Sequence, residues 1–131
     1  EIWLVDEYGS LALPDNPGVR DRHLNGMGTS IAPANYANSG FDELIDHVVY
    51  VRAGEGIAAS VDLARSEGIL TGGSGGAALH VMREVVAPEH AAGANIVTVL
   101  PDHGSRYTET QFNREWLAAR DIYVTSIFED E

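Results

Sequence analysis

Ser66-Glu-Gly-Ile-Leu-Thr-Gly-Gly-Ser-Gly-Gly-Ala-Ala-Leu-His80 is the stretch on which the reading of this chain turns. Gly72, Gly73, Gly75 and Gly76 surround one hydroxyl residue, Ser74. An apolar helical pattern follows at once through Ala78, Leu79, Met82, Val85 and Val86. Glycine lets a backbone pass close to another group. A serine before a helix can accept a hydrogen bond from the free N–H groups of the first turn. The stretch therefore reads as a tight turn that aims Ser74 and a helix start at whatever lies above it, the arrangement that commonly holds anions or rings. The plainer reading, a glycine-rich connection with Ser74 as its helix cap, stands beside it.

Outward from this turn, apolar runs alternate with helical patterns. Ile2-Trp-Leu-Val5 reads as a buried parallel strand closed by turn residues Asp6-Glu-Tyr-Gly-Ser10. Residues 11 to 43 carry Pro, Asn and Gly with little periodicity, a loop long enough to be functional or covered by something else. Ile45-Asp-His-Val-Val-Tyr-Val51 is rich in β-branched residues and reads as a second strand. Residues 55 to 66 place Ile57, Ala58, Val61 and Ala64 on one helix face, with Gly68 as the stop. The helix that Ser74 caps should run to about Val86 and end before Pro88. Residues 94 to 100 read as a third buried strand, and Gln111 to Arg120 as a last helix with Phe112, Trp116 and Ala119 on its inner face. The class is α/β, a partial parallel sheet with flanking helices. Three helices are too few to cover both faces of such a sheet, so residues 1 to 131 read as a segment of a larger domain.

The chain has 20 acidic residues against 8 arginines and no lysine, a net charge of −12. That balance excludes nucleic acid and anionic membrane as partners, because a phosphate surface would be repelled. No apolar run is long enough to span a membrane. Absence of cysteine rules out disulfides and thiolate sites and is compatible with a reducing cytoplasm, the compartment expected here. His23, His47, His80, His90 and His103 lack the tight spacing of a metal site, so no metal is expected. Ser74, His80 and Asp102 could be assembled into a hydrolytic triad on paper. Ser74 does not sit in a G-x-S-x-G elbow after a strand, however, and this reading ranks last.

Three motifs occur together in one order. Asn25-Gly-Met-Gly28 precedes Glu67-Gly-Ile-Leu-Thr-Gly-Gly-Ser-Gly-Gly-Ala-Ala78, and Ile96-Val-Thr-Val-Leu-Pro-Asp-His-Gly-Ser-Arg-Tyr107 follows it. In this order and spacing they resemble the "x-G-I-G" loop, the "EGLL-x-G-x-S-x-G-A-A" turn and the "V-V-x-P-D-x-G-x-R-Y" strand and turn of the cysteine synthase and cystathionine β-synthase family. These are fold-type-II enzymes (tryptophan synthase β-like) that use pyridoxal phosphate. The likeness covers about residues 2 to 123 and only the C-terminal part of that family.

The resemblance implies that Ser74 hydrogen-bonds the pyridine nitrogen of the cofactor. A carboxylate there would keep the nitrogen protonated and make the ring a strong electron sink. A neutral hydroxyl leaves it largely unprotonated, which suits β-elimination and β-replacement rather than transamination. It further implies that Pro101 and Asp102 flank the cofactor and that Gly26, Met27 and Gly28 line the substrate pocket, Met27 standing where the family has Ile. Read without it, Asp102 is equally the cap of the next turn and Gly26-Met27-Gly28 an ordinary glycine turn. Arg106 and Tyr107 read as structural.

The family's Schiff-base lysine has no counterpart in a chain without lysine. No catalytic residue is therefore expected here, and the isolated chain should be inactive. The expectation is the C-terminal segment of a cysteine synthase-like lyase or transferase of amino-acid biosynthesis. It would be completed by a lysine-bearing N-terminal segment or subunit, with a small amino-acid substrate such as serine or an O-activated serine, and homodimeric when complete. A non-catalytic partner-binding module derived from the same fold is the alternative.

Overall fold

The computed structural model describes residues 1–17, 22–36 and 39–128. β1 (Trp3–Glu7) and β2 (His47–Val51) pair in parallel, Trp3 opposite His47 and Glu7 opposite Val51. α1 (Ala53–Glu67) follows β2 directly, and α2 (Gly73–Val81) packs across it. The α/β class and the parallel pairing agree with the sequence reading.

β1 runs further than its apolar residues suggest. Trp3, Leu4 and Val5 are half-buried, whereas Asp6 and Glu7, expected to open a turn, are 4% and 2% exposed. α1 starts at Arg52, whose N–H donates to the Glu55 carboxylate at 2.7 Å. It stops at Gly68, which adopts φ 71° and returns its N–H to Ala64 O. That left-handed ending is a glycine's role.

The buried stripe of α1 is Ala53, Gly56, Ile57, Ala59 and Ser60, rotated from the Ile57, Ala58, Val61, Ala64 face that apolarity alone selects. Small residues are the reason. A Cβ on Gly56 would lie 2.9 Å from Gly73 O and 3.1 Å from Ala77 N, and one on Gly76 would collide with Gly56 O and Ser60 Oγ. The two helices therefore meet backbone to backbone. Ser60 Oγ seals the crossing, 3.0 Å from Gly56 O and 3.1 Å from Gly72 O. Ile57, Ala77 and Val81 then join Val51, Leu117 and Val124 in one core.

Three sequence expectations change. First, α2 does not end before Pro88. It widens into a π-type turn over Met82–Val86, where Ala87 N–H reaches Met82 O, and closes with Ala87–Glu89. Shifting the bonds by one residue lets Pro88, which has no N–H, sit in the final turn. Second, residues 94–100 form no strand: Val97 and Val99 are 90% and 74% exposed. Branched apolar residues favour strands only where a neighbouring strand completes the ladder, and the pairing found nearby is the isolated antiparallel bridge Thr71–His103. Third, the last helix is shorter, Arg114–Ala118. Asn113 caps it by accepting from Trp116 N–H at 2.9 Å, and Leu117 rather than Ala119 is its buried residue. Among the described residues no helix is long and apolar enough to cross a membrane.

Gly76→Ala should lower stability by the upper part of the roughly 1–3 kcal/mol range for overpacking, because only backbone movement makes room. Gly40→Ala, at φ 65° with open space around it, should cost about 1 kcal/mol through backbone strain alone. Urea unfolding midpoints of the two variants in the full-length protein test this. Equal losses would mean the helix crossing is looser than drawn.

Candidate functional site

The site lies at the first turn of α2. Residues 70–72 are tied to residues 102–104: Gly104 N–H donates to Leu70 O at 3.0 Å, Gly72 N–H to Asp102 O at 3.4 Å, and Thr71 Oγ1 lies 3.3 Å from Asp102 O. A side chain at Gly72 would collide with Asp102 Oδ1 and the Tyr107 ring. Glycine is therefore required there by close approach, not by a left-handed φ.

Ser74 is not the cap of α2. Gly72 holds that position, without a side-chain cap bond, and Ser74 falls inside the first turn. The N–H of Gly73, the first residue of α2, donates to Gln111 Oε1 at 2.9 Å. The Ser74 hydroxyl, 7% exposed, is thus free of capping duty. Facing it is Gly26, at φ 83°, where an added Cβ would lie 3.6 Å from Ser74 Oγ. The glycine loop and the serine turn, 48 residues apart in sequence, meet here.

Met27 is held from two sides: its side chain packs against the core, and its carbonyl accepts from Arg22 Nη1 at 2.9 Å. Gly28, at φ 67°, leaves no room for a Cβ, which would lie 2.8 Å from Ser10 Oγ. Ser10 Oγ in turn accepts from Ala12 N–H and Thr29 N–H, both at 3.1 Å. The 26–28 loop is therefore pinned by its outer half and presents Gly26 to Ser74.

Asp102 caps no turn with its side chain. His103 caps the following one, its Nδ1 accepting from Ser105 N–H. Asp102 Oδ2 accepts from the Tyr107 hydroxyl, a bond that pushes the Tyr107 pKa up, helped by burial. Asp102 Oδ1 is buried without a partner among the described residues. Pro101 beside it is exposed. Neither Ser74 nor Asp102 hydrogen-bonds His80, so the paper triad is not assembled among the described residues.

Two buried polar residues that the sequence did not single out organise this site. Glu7, at the carboxyl end of β1, accepts from His23 N–H at 2.7 Å and Leu24 N–H at 3.1 Å. Burial pushes its carboxyl above the ordinary range, while those two N–H groups and the Arg22 charge pull it partly back. Gln111, fully buried, spans from Gly73 N–H to His23 O, the latter at 3.1 Å. The one sequence signal for Glu7 was its place at the end of an apolar strand. Gln111 had none, since it sat inside an expected helix.

A cavity of about 1380 Å³ opens elsewhere, between α1, the later turns of α2 and residues 120–126. Its rim mixes Arg52, Arg65, Arg83 and Arg120 with Asp62 and Glu84, and includes neither Ser74 nor Asp102.

The site offers polar groups to a ligand. An uncommitted neutral hydroxyl, an orphaned carboxylate oxygen and a glycine edge with no side chain converge on one helix start. Solved structures of similar fold define the class. An O-acetylserine-dependent cystathionine β-synthase from Helicobacter pylori superposes with a TM-score of 0.65 at 29% identity, over 82% of this chain and 33% of that one. An O-ureido-L-serine synthase variant with O-ureido-L-serine bound gives 0.67 at 24% identity, over 92% and 38%, a likeness of fold alone. This is the fold-type-II architecture. Residues 1–102 match the family described as "Pyridoxal-phosphate dependent enzyme", and the chain belongs to that family, whose cofactor is pyridoxal phosphate. Among curated relatives, the N-(2-amino-2-carboxyethyl)-L-glutamate synthase of Ralstonia nicotianae is 36% identical over 117 residues, 89% of this chain and 32% of that protein. The chain spans about a third of the length of these relatives.

Because Glu7 holds its proton to higher pH in the fold than in the unfolded chain, ionising it withdraws stability as pH rises from about 4.5, its ordinary value, through the raised one. Glu7→Gln keeps an acceptor and removes that slope, so its stability relative to wild type should improve from pH 4.5 to pH 8. Glu7→Ala strands two N–H groups and should lose about 1–3 kcal/mol at any pH. Chemical denaturation across that pH range reads both effects.

Proposed function

We propose that the complete protein catalyses pyridoxal-phosphate-dependent β-replacement on serine or an O-activated serine, and that this chain is the C-terminal segment of its catalytic domain. The observation that carries the reading is Ser74: a buried neutral hydroxyl inside the first turn of α2, not at its cap, and placed beside Gly26. When bound, the cofactor supplies the electron sink that lets a β-substituent leave an amino acid.

Ser74 suits the ring nitrogen, because a hydroxyl offers it a hydrogen bond without forcing a proton onto it. The Asp102 carboxylate, held by Tyr107, and Pro101 would border the same edge. Gly26 and Gly28 would shape the substrate pocket with backbone alone, leaving space for an amino acid. The lysine that anchors the cofactor has to come from outside these 131 residues, since they contain none. The relatives' names support an activated serine as substrate, O-acetylserine in one and O-ureido-L-serine in another. The glutamate-derived product in the Ralstonia relative's name supports an amine as the incoming nucleophile. A homodimer of the complete enzyme belongs to the same reading.

Ser74→Asp in the full-length enzyme should slow β-replacement of O-acetyl-L-serine by about 10²-fold, the usual worth of one pre-positioned polar group. Ser74→Ala should be milder. Steady-state product formation measures both, and an unchanged rate in Ser74→Asp would remove Ser74 from the ring nitrogen. Borohydride reduction of the cofactor-loaded protein, followed by peptide mass analysis, should place no pyridoxyl group on any side chain of this segment.

A further inference from the structure

Gln111 joins the two halves of the site by the two ends of one side-chain amide. Its Oε1 accepts from Gly73 N–H at 2.9 Å, inside the first turn of α2, and its Nε2 donates to His23 O at 3.1 Å, two residues before Asn25. The orientation is forced, because a flipped amide would set N–H against N–H and oxygen against carbonyl. The same peptide of the loop is gripped from its other side by Glu7, through His23 N–H and Leu24 N–H. The approach is tight: a Cβ on Gly73 would lie 2.6 Å from Gln111 Oε1 and 2.6 Å from Leu24 Cδ2. Gly26 then reaches Ser74.

We propose that Gln111 is a positioning residue that sets the separation between the Gly26–Gly28 loop and Ser74, and hence the width of the amino-acid pocket. It touches neither reacting atoms nor cofactor. The inference rests on the proposed β-replacement for its consequence, but on the two hydrogen bonds alone for its geometry. An amide is the one side chain of this shape that offers an acceptor to an N–H and a donor to a carbonyl at once. A carboxylate of the same shape satisfies Gly73 N–H and repels His23 O until it takes up a proton.

The test uses Gln111→Glu and Gln111→Met in the full-length, cofactor-loaded protein, with amide-exchange protection of residues 22–30 followed from pH 5 to 8.5 and O-acetyl-L-serine as substrate. In Gln111→Glu, protection of that loop should fall about tenfold at pH 8 and recover on acidification. In Gln111→Met it should be low at every pH. The KM for O-acetyl-L-serine should rise about tenfold at pH 8 in both variants, with a smaller change in kcat, as expected when one hydrogen bond that places a pocket wall is lost. The KM of Gln111→Glu alone should fall back toward wild type as pH drops. Unchanged loop protection in both variants, or protection lost evenly across the whole segment with no pH recovery, would overturn the inference. Loop protection that behaves as expected in a protein with no β-replacement activity would uphold the tether and overturn the assigned reaction.

Discussion

The close approach of α1 and α2 at Gly56 and Gly76 is the constraint on which the rest of the structure depends. With no side chain between them, Gly56 lies against Gly73 and Ala77, and Ser60 fills the seam with a hydroxyl shared between Gly56 O and Gly72 O. α1 is fixed by β2, which precedes it by one residue, so α2 inherits its position from the sheet. Any Cβ in the seam would push α2 outward, carrying Ser74 with it. The glycines of the 72–76 run divide their work accordingly. Gly76 admits α1, Gly72 admits Asp102 and Tyr107, and Gly73 admits Leu24 and Gln111. All three lie at negative φ, so the run exists for proximity and not for turning.

Around that packing sits a polar lattice that is buried yet paired. Glu7 and Gln111 are each almost fully enclosed, a placement that costs several kcal/mol for a polar group with no partner. Each instead spends its hydrogen-bonding capacity on backbone groups of residues 23 and 24 or of Gly73. Satisfied networks of this kind favour one geometry over its neighbours. Apolar packing could hold α2 against the 22–30 loop, but directional bonds at both ends of Gln111 hold it in one register.

How much of this was legible in the sequence follows from the range of each interaction. β1, β2, α1 and the Gly68 stop were legible because periodicity and local glycine chemistry define them. The resemblance put Ser74 at the cofactor and Gly26 in the substrate pocket without stating that the two meet, a contact across 48 residues. The absence of a third strand was not legible. Residues 94–100 are as apolar as a strand, but apolarity does not name a neighbour, and Val97 and Val99 remain in solvent. Ser74 read as a cap because serine before a helix usually is one, but α2 begins at Gly73, and Gln111 reaches that first residue from 38 residues away. The Gln111–His23 bond spans 88 residues and the Glu7–Leu24 bond 17, distances at which no local pattern gives a signal.

One of the buried polar atoms without a partner lies at this site. Asp102 Oδ1 is buried with no partner among the described residues, and the Ser74 hydroxyl is relieved of its ordinary local bond. Around the site Glu7, Gln111, Ser10 and Ser60 are all paired, whereas Trp3 Nε1 and Ser126 Oγ, away from it, are also buried without a partner among the described residues. Leaving the Asp102 oxygen unmatched is costly if nothing is bound there. A hydrogen-bond donor on a bound ligand would offset that cost.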